Sequence, residues 1–270
     1  LEKKYKFRQG DHLIHILSEY GYLSSLKMVI KKKKYVNQLN YHLQTPIFHA
    51  CENSNYDCIK LLLKNRALIN IEDGFNQNVF HILAKNKKNI KIVDLLFEYG
   101  INSEKLYDFN YYGETPLHIM VRFDNIEILK SIIDRNIDIY TFNEYGHNLM
   151  HEAANYDSTD CIKELARVNR YLIDSYTSHV KETPLHICCI NGSIDSIKLL
   201  LKLGANMNVY NYNLLYPWKL LENQNYVKYF YDNNGKVNDK NILKNVRSLK
   251  YICRKFIRQK LIDKHGYIIN

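Results

Sequence analysis

Apolar residues along this chain come in short bursts, and the bursts come in pairs. The second member of each pair spaces its apolar side chains as a helix does: CIKLLL at 58–63, IKIVDLLFEYG at 90–100, IEILKSII at 126–133, CIKELA at 161–166 and SIKLLLKLGANMN at 196–208. The first member is shorter and has a His near its start, as in TPLHICCINGS at 183–193. Aligned on that His, the copies fall at His15, His49, His81, His118, His151 and His186, with steps of 34, 32, 37, 33 and 35 residues. Gly100 and Gly204 stand where a helix needs a left-handed stop. The polar turns Asp73-Gly74, Tyr112-Gly113 and Tyr145-Gly146 then predict a projecting hairpin before the next copy. The unit is therefore two short helices and a hairpin, repeated six or seven times. One helix pair cannot bury its own apolar face, so stacking must supply the core. The 37-residue step predicts extra residues near Glu104–Leu106, at a hairpin tip.

All four prolines fall at one point of this unit. Pro46, Pro116, Pro184 and Pro217 are 70, 68 and 33 residues apart, and three of them sit in TPIF (45–48), TPLH (115–118) and TPLH (183–186). Proline fits the first turn of a helix, where its missing N–H has no partner to lose. The preceding Thr can cap the helix. A period near 33 with Thr-Pro-Leu-His resembles the ankyrin repeat. That resemblance implies an all-α ankyrin-repeat solenoid, with helix-turn-helix repeats and β-hairpin fingers, that grips other proteins and has no interior pocket for catalysis. Residues 1–10 read as an N-terminal extension and 11–235 as the array. The first copy (11–40, beginning GDHLIHIL) and the last (212–235, YPWKLLENQNYVKYFYDNNG) depart from the pattern, as end copies with one face toward water should.

Charge divides the chain. The formal net charge is +10, and the residues after Gly235 hold ten Lys/Arg against two Asp/Glu. A basic tail on a nearly neutral body gives no broad steering toward nucleic acid. The six cysteines form no CxxC and include the adjacent pair Cys188-Cys189, so a reducing, cytoplasmic or nuclear setting is expected. Cys51, Cys188 and Cys189 occupy small apolar slots of the repeat and should pack as core. No run of 18 apolar residues and no cleavable leader opens a membrane reading. The chain begins at Leu1 rather than Met and reads as part of a longer protein.

No motif predicts a catalyst, cofactor or metal. His151-Glu152 lacks the second His that a zinc-protease helix requires. The repeated histidines sit on units about 8–10 Å apart, whereas zinc bonds are about 2 Å, so one ion cannot gather them and hydrogen-bonding roles are expected. Tyrosine is abundant, with 23 residues. Phe75, Tyr111, Tyr112, Tyr145, Tyr176, Tyr210 and Tyr212 are placed on hairpin tips by the pattern. Such a ridge would suit protein binding; a Lys/Asn/Ile/Tyr-rich composition accounts for it equally well.

Beyond the repeats, SLKYICRKFIRQKLIDKHGYIIN places Leu249, Ile252, Cys253, Phe256, Ile257 and Leu261 on one helical face. Ser248, Leu249, Cys253 and Ile257 match the pattern Ser/Thr/Pro-Leu-x-x-x-Cys-x-x-x-aliphatic, and Arg254, Arg258 and Leu261 continue it. Residues 236–270 thus resemble a SOCS box, and an ankyrin array followed by one resembles the ankyrin-repeat-and-SOCS-box family. The resemblance implies a substrate receptor of a cullin-RING ubiquitin ligase. Its repeats would hold an unidentified target, and Leu249 would enter a pocket of elongin C in the elongin B/C pair, with Cys253 and Ile257 beside it. The Leu-Pro-x-Pro element expected to meet cullin-5 does not occur before Asn270. Other readings remain open: a helix that only caps the last repeat, a stand-alone binding module of the inhibitor-of-NF-κB or viral type, a basic amphipathic helix for calmodulin or an acidic membrane surface, and, ranked last, a nucleic-acid binder.

Overall fold

A computed structural model of the chain describes residues 10–31 and 35–220. The box-like segment, with Ser248, Leu249, Cys253, Arg254, Ile257, Arg258 and Leu261, lies outside them.

The chain divides into two compact units, residues 1–149 and 150–270. The first holds four helix pairs: α1 (Leu13–Glu19) with α2 (Leu23–Ile30), α3 (Pro46–Glu52) with α4 (Tyr56–Lys64), α5 (Val79–Leu83) with α6 (Ile90–Glu98), and α7 (Pro116–Arg122) with α8 (Ile126–Asp134). Helix α9 (Leu149–Asn155) begins at the boundary. The second unit continues with α10 (Thr159–Val168), α11 (Pro184–Asn191) and α12 (Ile194–Leu203), and then a 3-10 turn at Pro217–Leu220. Both units have the all-α ankyrin-repeat fold. Every proline begins a helical element, as its fixed φ favours.

Burial follows the repeat. In the first unit the inner helices contribute Ile47, Phe48, Phe80, Leu83, Leu117 and Met120, each 2% exposed or less. The outer helices contribute Ile59, Leu62, Val93, Leu96, Leu129 and Ile132 on the same terms. In the second unit Cys161, Ile162, Leu165, Cys188, Ile197 and Leu200 do so. Gly100 and Gly204 have φ of +77° and +95°, the left-handed stops the sequence predicts. Arg66 and Asn136 take the same conformation at the corresponding ends of α4 and α8, with φ of +65° and +56°.

Two expectations change. The fingers are tight turns rather than laddered hairpins, closed for example by Asn110 N–H to Glu114 O and Gly113 N–H to Asn110 O, both at 3.0 Å. Among the described residues the one β-bridge joins Phe142 to Asn148, and most fingers spend further backbone N–H groups on an Asn or Asp side chain. Asn110 Oδ1, for example, accepts from Tyr112 N–H at 2.9 Å and Glu114 N–H at 3.1 Å. The extra residues of the 37-residue step are not at a tip. They form a 3-10 turn, Ser103–Leu106, before the finger, with Leu106 completely buried. An apolar side chain in the insertion draws it into the core.

Candidate protein-binding surface

The repeated histidines hold the fingers in place. In the third copy the backbone N–H of Asn78 donates to His81 Nδ1 at 3.1 Å. Nε2 therefore carries the proton and donates to Glu114 O, in the next finger, at 3.2 Å. His15, His118 and His186 likewise turn Nε2 toward carbonyls of the following finger, at Gln38, His147 and Leu215. His151 Nε2 lies 3.0 Å from Glu182 O and 3.1 Å from Ser175 O, a bridging role and not a metal ligand's. Burial favours the neutral ring: it lowers the His81 pKa to about 4 and pulls His15 and His186 below the usual imidazole value.

The threonines cap in part. Thr115 and Thr183 hydroxyls meet the ring Nδ1 of His118 and His186, both at 2.8 Å, and Thr183 forms a capping box with His186, its side chain accepting from the His186 N–H and its own N–H donating to the ring. The Thr45 hydroxyl is buried with no hydrogen-bond partner. The reason lies in His49, whose ring turns toward the preceding copy. Its Nε2 is 3.5 Å from Asp11 Oδ1 and its Nδ1 is 3.5 Å from Glu19 Oε2. These three side chains are the one group of possible metal ligands that converge among the described residues. One ligand atom from each lies within 4.8 Å of the others, and the two carboxylates approach different ring nitrogens.

The five described cysteines, Cys51, Cys58, Cys161, Cys188 and Cys189, are all buried. Burial pushes the Cys51, Cys58 and Cys188 thiols upward, away from reactive thiolate.

On the surface, the finger tips of the first unit carry a row of exposed aromatics. Tyr41, Phe75, Tyr111, Tyr112 and Tyr145 are 79, 43, 73, 56 and 60% exposed, far above the ordinary condition of an aromatic side chain. Adjacent tips are tied by backbone bonds. Gly74 N–H donates to His42 O at 2.7 Å, Tyr111 N–H to Phe75 O at 2.9 Å, and Glu144 N–H to Gly113 O at 3.0 Å. The His42 and Phe75 rings stack at 6.4 Å, and Tyr111 meets Tyr112 edge-on at 5.6 Å. Rings held this way lose little side-chain entropy on binding.

In the second unit Tyr176, Tyr210 and Tyr212 are also exposed. However, Lys181 Nζ lies 5.2 Å from the Tyr176 ring centroid and 5.5 Å from that of Tyr210, so those two faces already meet a cation. Sequence reasoning missed Tyr41, which lies in a finger without a turn glycine. The available signal was its spacing, five residues before Pro46, the same as Tyr111 before Pro116.

Comparison with known proteins accords with this architecture. Models of the ankyrin repeat match residues 42–74, 67–143, 119–211 and 150–242. A putative ankyrin repeat protein of fowlpox virus is 37% identical over 95 residues, 35% of this chain and 15% of that protein. The human transient receptor potential cation channel subfamily A member 1 is 24% identical over 74% of this chain and 15% of its own length. The chain thus spans about 15% of these first relatives. Among solved structures, the human ASB11 ankyrin repeat domain aligns with a TM-score of 0.67 at 21% identity, covering 78% of this chain and 91% of that one. The ankyrin repeat domain of Bcl-3, a member of the IkappaB family, gives 0.67 at 18% identity over 82% of this chain and 98% of its own. With repeat models matched from 42 to 242, this chain belongs to the ankyrin-repeat family.

Proposed function

We propose that this chain is a non-catalytic adaptor that holds a target protein along the finger tips of its first unit. The row of exposed aromatics at Tyr41, Phe75, Tyr111, Tyr112 and Tyr145 carries the reading. Aromatic anchors on a rigid scaffold are where binding energy concentrates.

The second half of the proposal rests on the sequence of the tail. Ser248, Leu249, Cys253 and Ile257 fit an elongin C-binding helix, in which apolar anchors enter a groove. Arg254, Arg258 and Leu261 would support it. The chain would then present its target to an elongin B/C ubiquitin ligase. Cullin-5 recruitment would need an element beyond those present.

The likeness to viral ankyrin proteins, and a 24% match to the chicken nuclear factor NF-kappa-B p105 subunit over 77% of this chain, favour a second reading. In it the repeats bind and block a partner without any ligase. Affinity capture from cells separates the two. The adaptor reading expects elongins B and C and a target with the full chain, loss of elongins alone with Leu249→Ala, and loss of the target alone with Tyr111, Tyr112 and Tyr145 all changed to Ala. Target capture without elongins would leave the blocking module. Target capture unaffected by the triple variant would remove the finger tips from the proposal.

A further inference from the structure

We infer that the first-unit tips take a proline-rich segment of the partner in polyproline II conformation, with a lysine or arginine of that segment at Glu144. The inference rests on the tip-binding reading above and goes further, to the chemistry of what is bound.

Spacing is the first argument. Each finger brings two chain segments to the row, closed by a bond such as Asp73 N–H to Gln77 O at 2.8 Å and joined to the next finger by the tip-to-tip bonds. Hydrogen-bonded segments lie about 4.8 Å apart, so equivalent tip positions recur about every 9–10 Å, close to the spacing of packed helices. A polyproline II helix repeats every three residues, about 9.3 Å. A β-strand presents the same face about every 6.7 Å and an α-helix about every 5.4 Å. The first keeps closest step with one finger after another, since an α-helix meets that spacing only at every second turn, about 10.8 Å.

Charge is the second argument. The tips at 41–43, 74–76, 111–113 and 144–146 contain no Lys or Arg, in a chain that has 38. Their single ionisable carboxylate is Glu144, which is exposed and lies across Gly113; a Cβ there would come within 2.5 Å of Glu144 Oε2. Among the described residues no cation pairs with Glu144. The second unit shows what such a surface accepts, since Lys181 sits over Tyr176 and Tyr210. The first-unit tips have no lysine of their own, so the cation comes from the partner. Between cations, uncharged aromatic faces suit proline rings.

The test is fluorescence anisotropy of the full chain against three labelled 13-residue peptides. One carries four Pro-Ala-Pro triplets and a terminal Arg, the second ends in Ala, and the third moves the prolines off the three-residue spacing at equal composition. Saturable binding of the first is expected, with the third at least about tenfold weaker, the scale of one lost aromatic anchor. Tyr112→Ala should weaken the first about tenfold by the same reasoning. Glu144→Gln should weaken the first about three- to fivefold and leave the second unchanged, as an exposed cation site would. These side chains are exposed, so unaltered melting temperatures check that the variants stay folded. No saturable binding, equal binding of the re-spaced peptide, or an inert Glu144→Gln would overturn the inference. If the peptides fail while the triple tyrosine variant still loses the target in cells, tip binding stands and the proline-rich class falls. If both fail, both fall.

Discussion

At the scale of single residues, the repeated His works as an uncharged bridge, and this makes stability depend on pH. His81 accepts from one backbone group and donates to another, so a second ring proton would leave Nδ1 facing a donor. Its folded pKa of about 4, lowered mainly by burial, lies below the ordinary value of 6.5. Between those values the unfolded chain binds the proton and the folded chain does not. Stability from this residue is therefore complete above about pH 6.5 and is lost as pH falls toward 4. At 1.36 kcal/mol per pKa unit the loss is on the order of 3 kcal/mol, and the lowered His15 and His186 add to it in the same direction. Thermal melts from pH 7 to pH 4 should show the fall, and His81→Gln should flatten it. A wild-type melting temperature that does not change across that range would contradict the neutral bridge.

Elements show how the sequence tolerates its own irregularities. The third copy has Asn78 where three others have Thr, and that side chain does more than a Thr could. Its Oδ1 accepts from Phe80 N–H at 3.0 Å and His81 N–H at 3.3 Å, while Nδ2 donates to Lys105 O at 2.7 Å. It caps α5 and fastens the inserted 3-10 turn together. Asn78→Ala should therefore cost about 1–2 kcal/mol. Thr45→Val, which removes a buried hydroxyl with no hydrogen-bond partner, should be neutral or stabilising. Leu106→Ala, which empties a completely buried site in the turn, should cost about 2–5 kcal/mol. Urea unfolding of the three variants gives the ranking, and a Thr45→Val cost as large as that of Asn78→Ala would refute it. Helix pairs, starts and stops were legible in the sequence because apolar period, Pro and Gly each act locally. The insertion's fold and the turn of His49 were not, because burial of Leu106 is not announced by local pattern and His49 meets Asp11 and Glu19 of the preceding copy. Exposed Tyr41 could have been found by register, but the cation over Tyr176 and Tyr210 could not, since nothing in spacing announces where Lys181 lies.

For the molecule as a whole, the two proposed functions are divided along the chain. The first unit offers an uncharged aromatic edge, and residues 236–270 carry ten of the 38 basic residues together with the elongin-type pattern. No described helix is long and apolar enough to cross a membrane. Removing 236–270 should leave target capture intact and abolish elongin binding, whereas a target lost with the tail would mean that the tail itself is the binding surface. The decisive experiment is calorimetric titration of purified elongin B/C into the full chain. The adaptor reading predicts a 1:1 complex that Leu249→Ala weakens by at least about 30-fold, the equivalent of about 2 kcal/mol at a buried anchor. Absence of any complex with the unaltered chain, or a Leu249→Ala variant that binds as well, would contradict it.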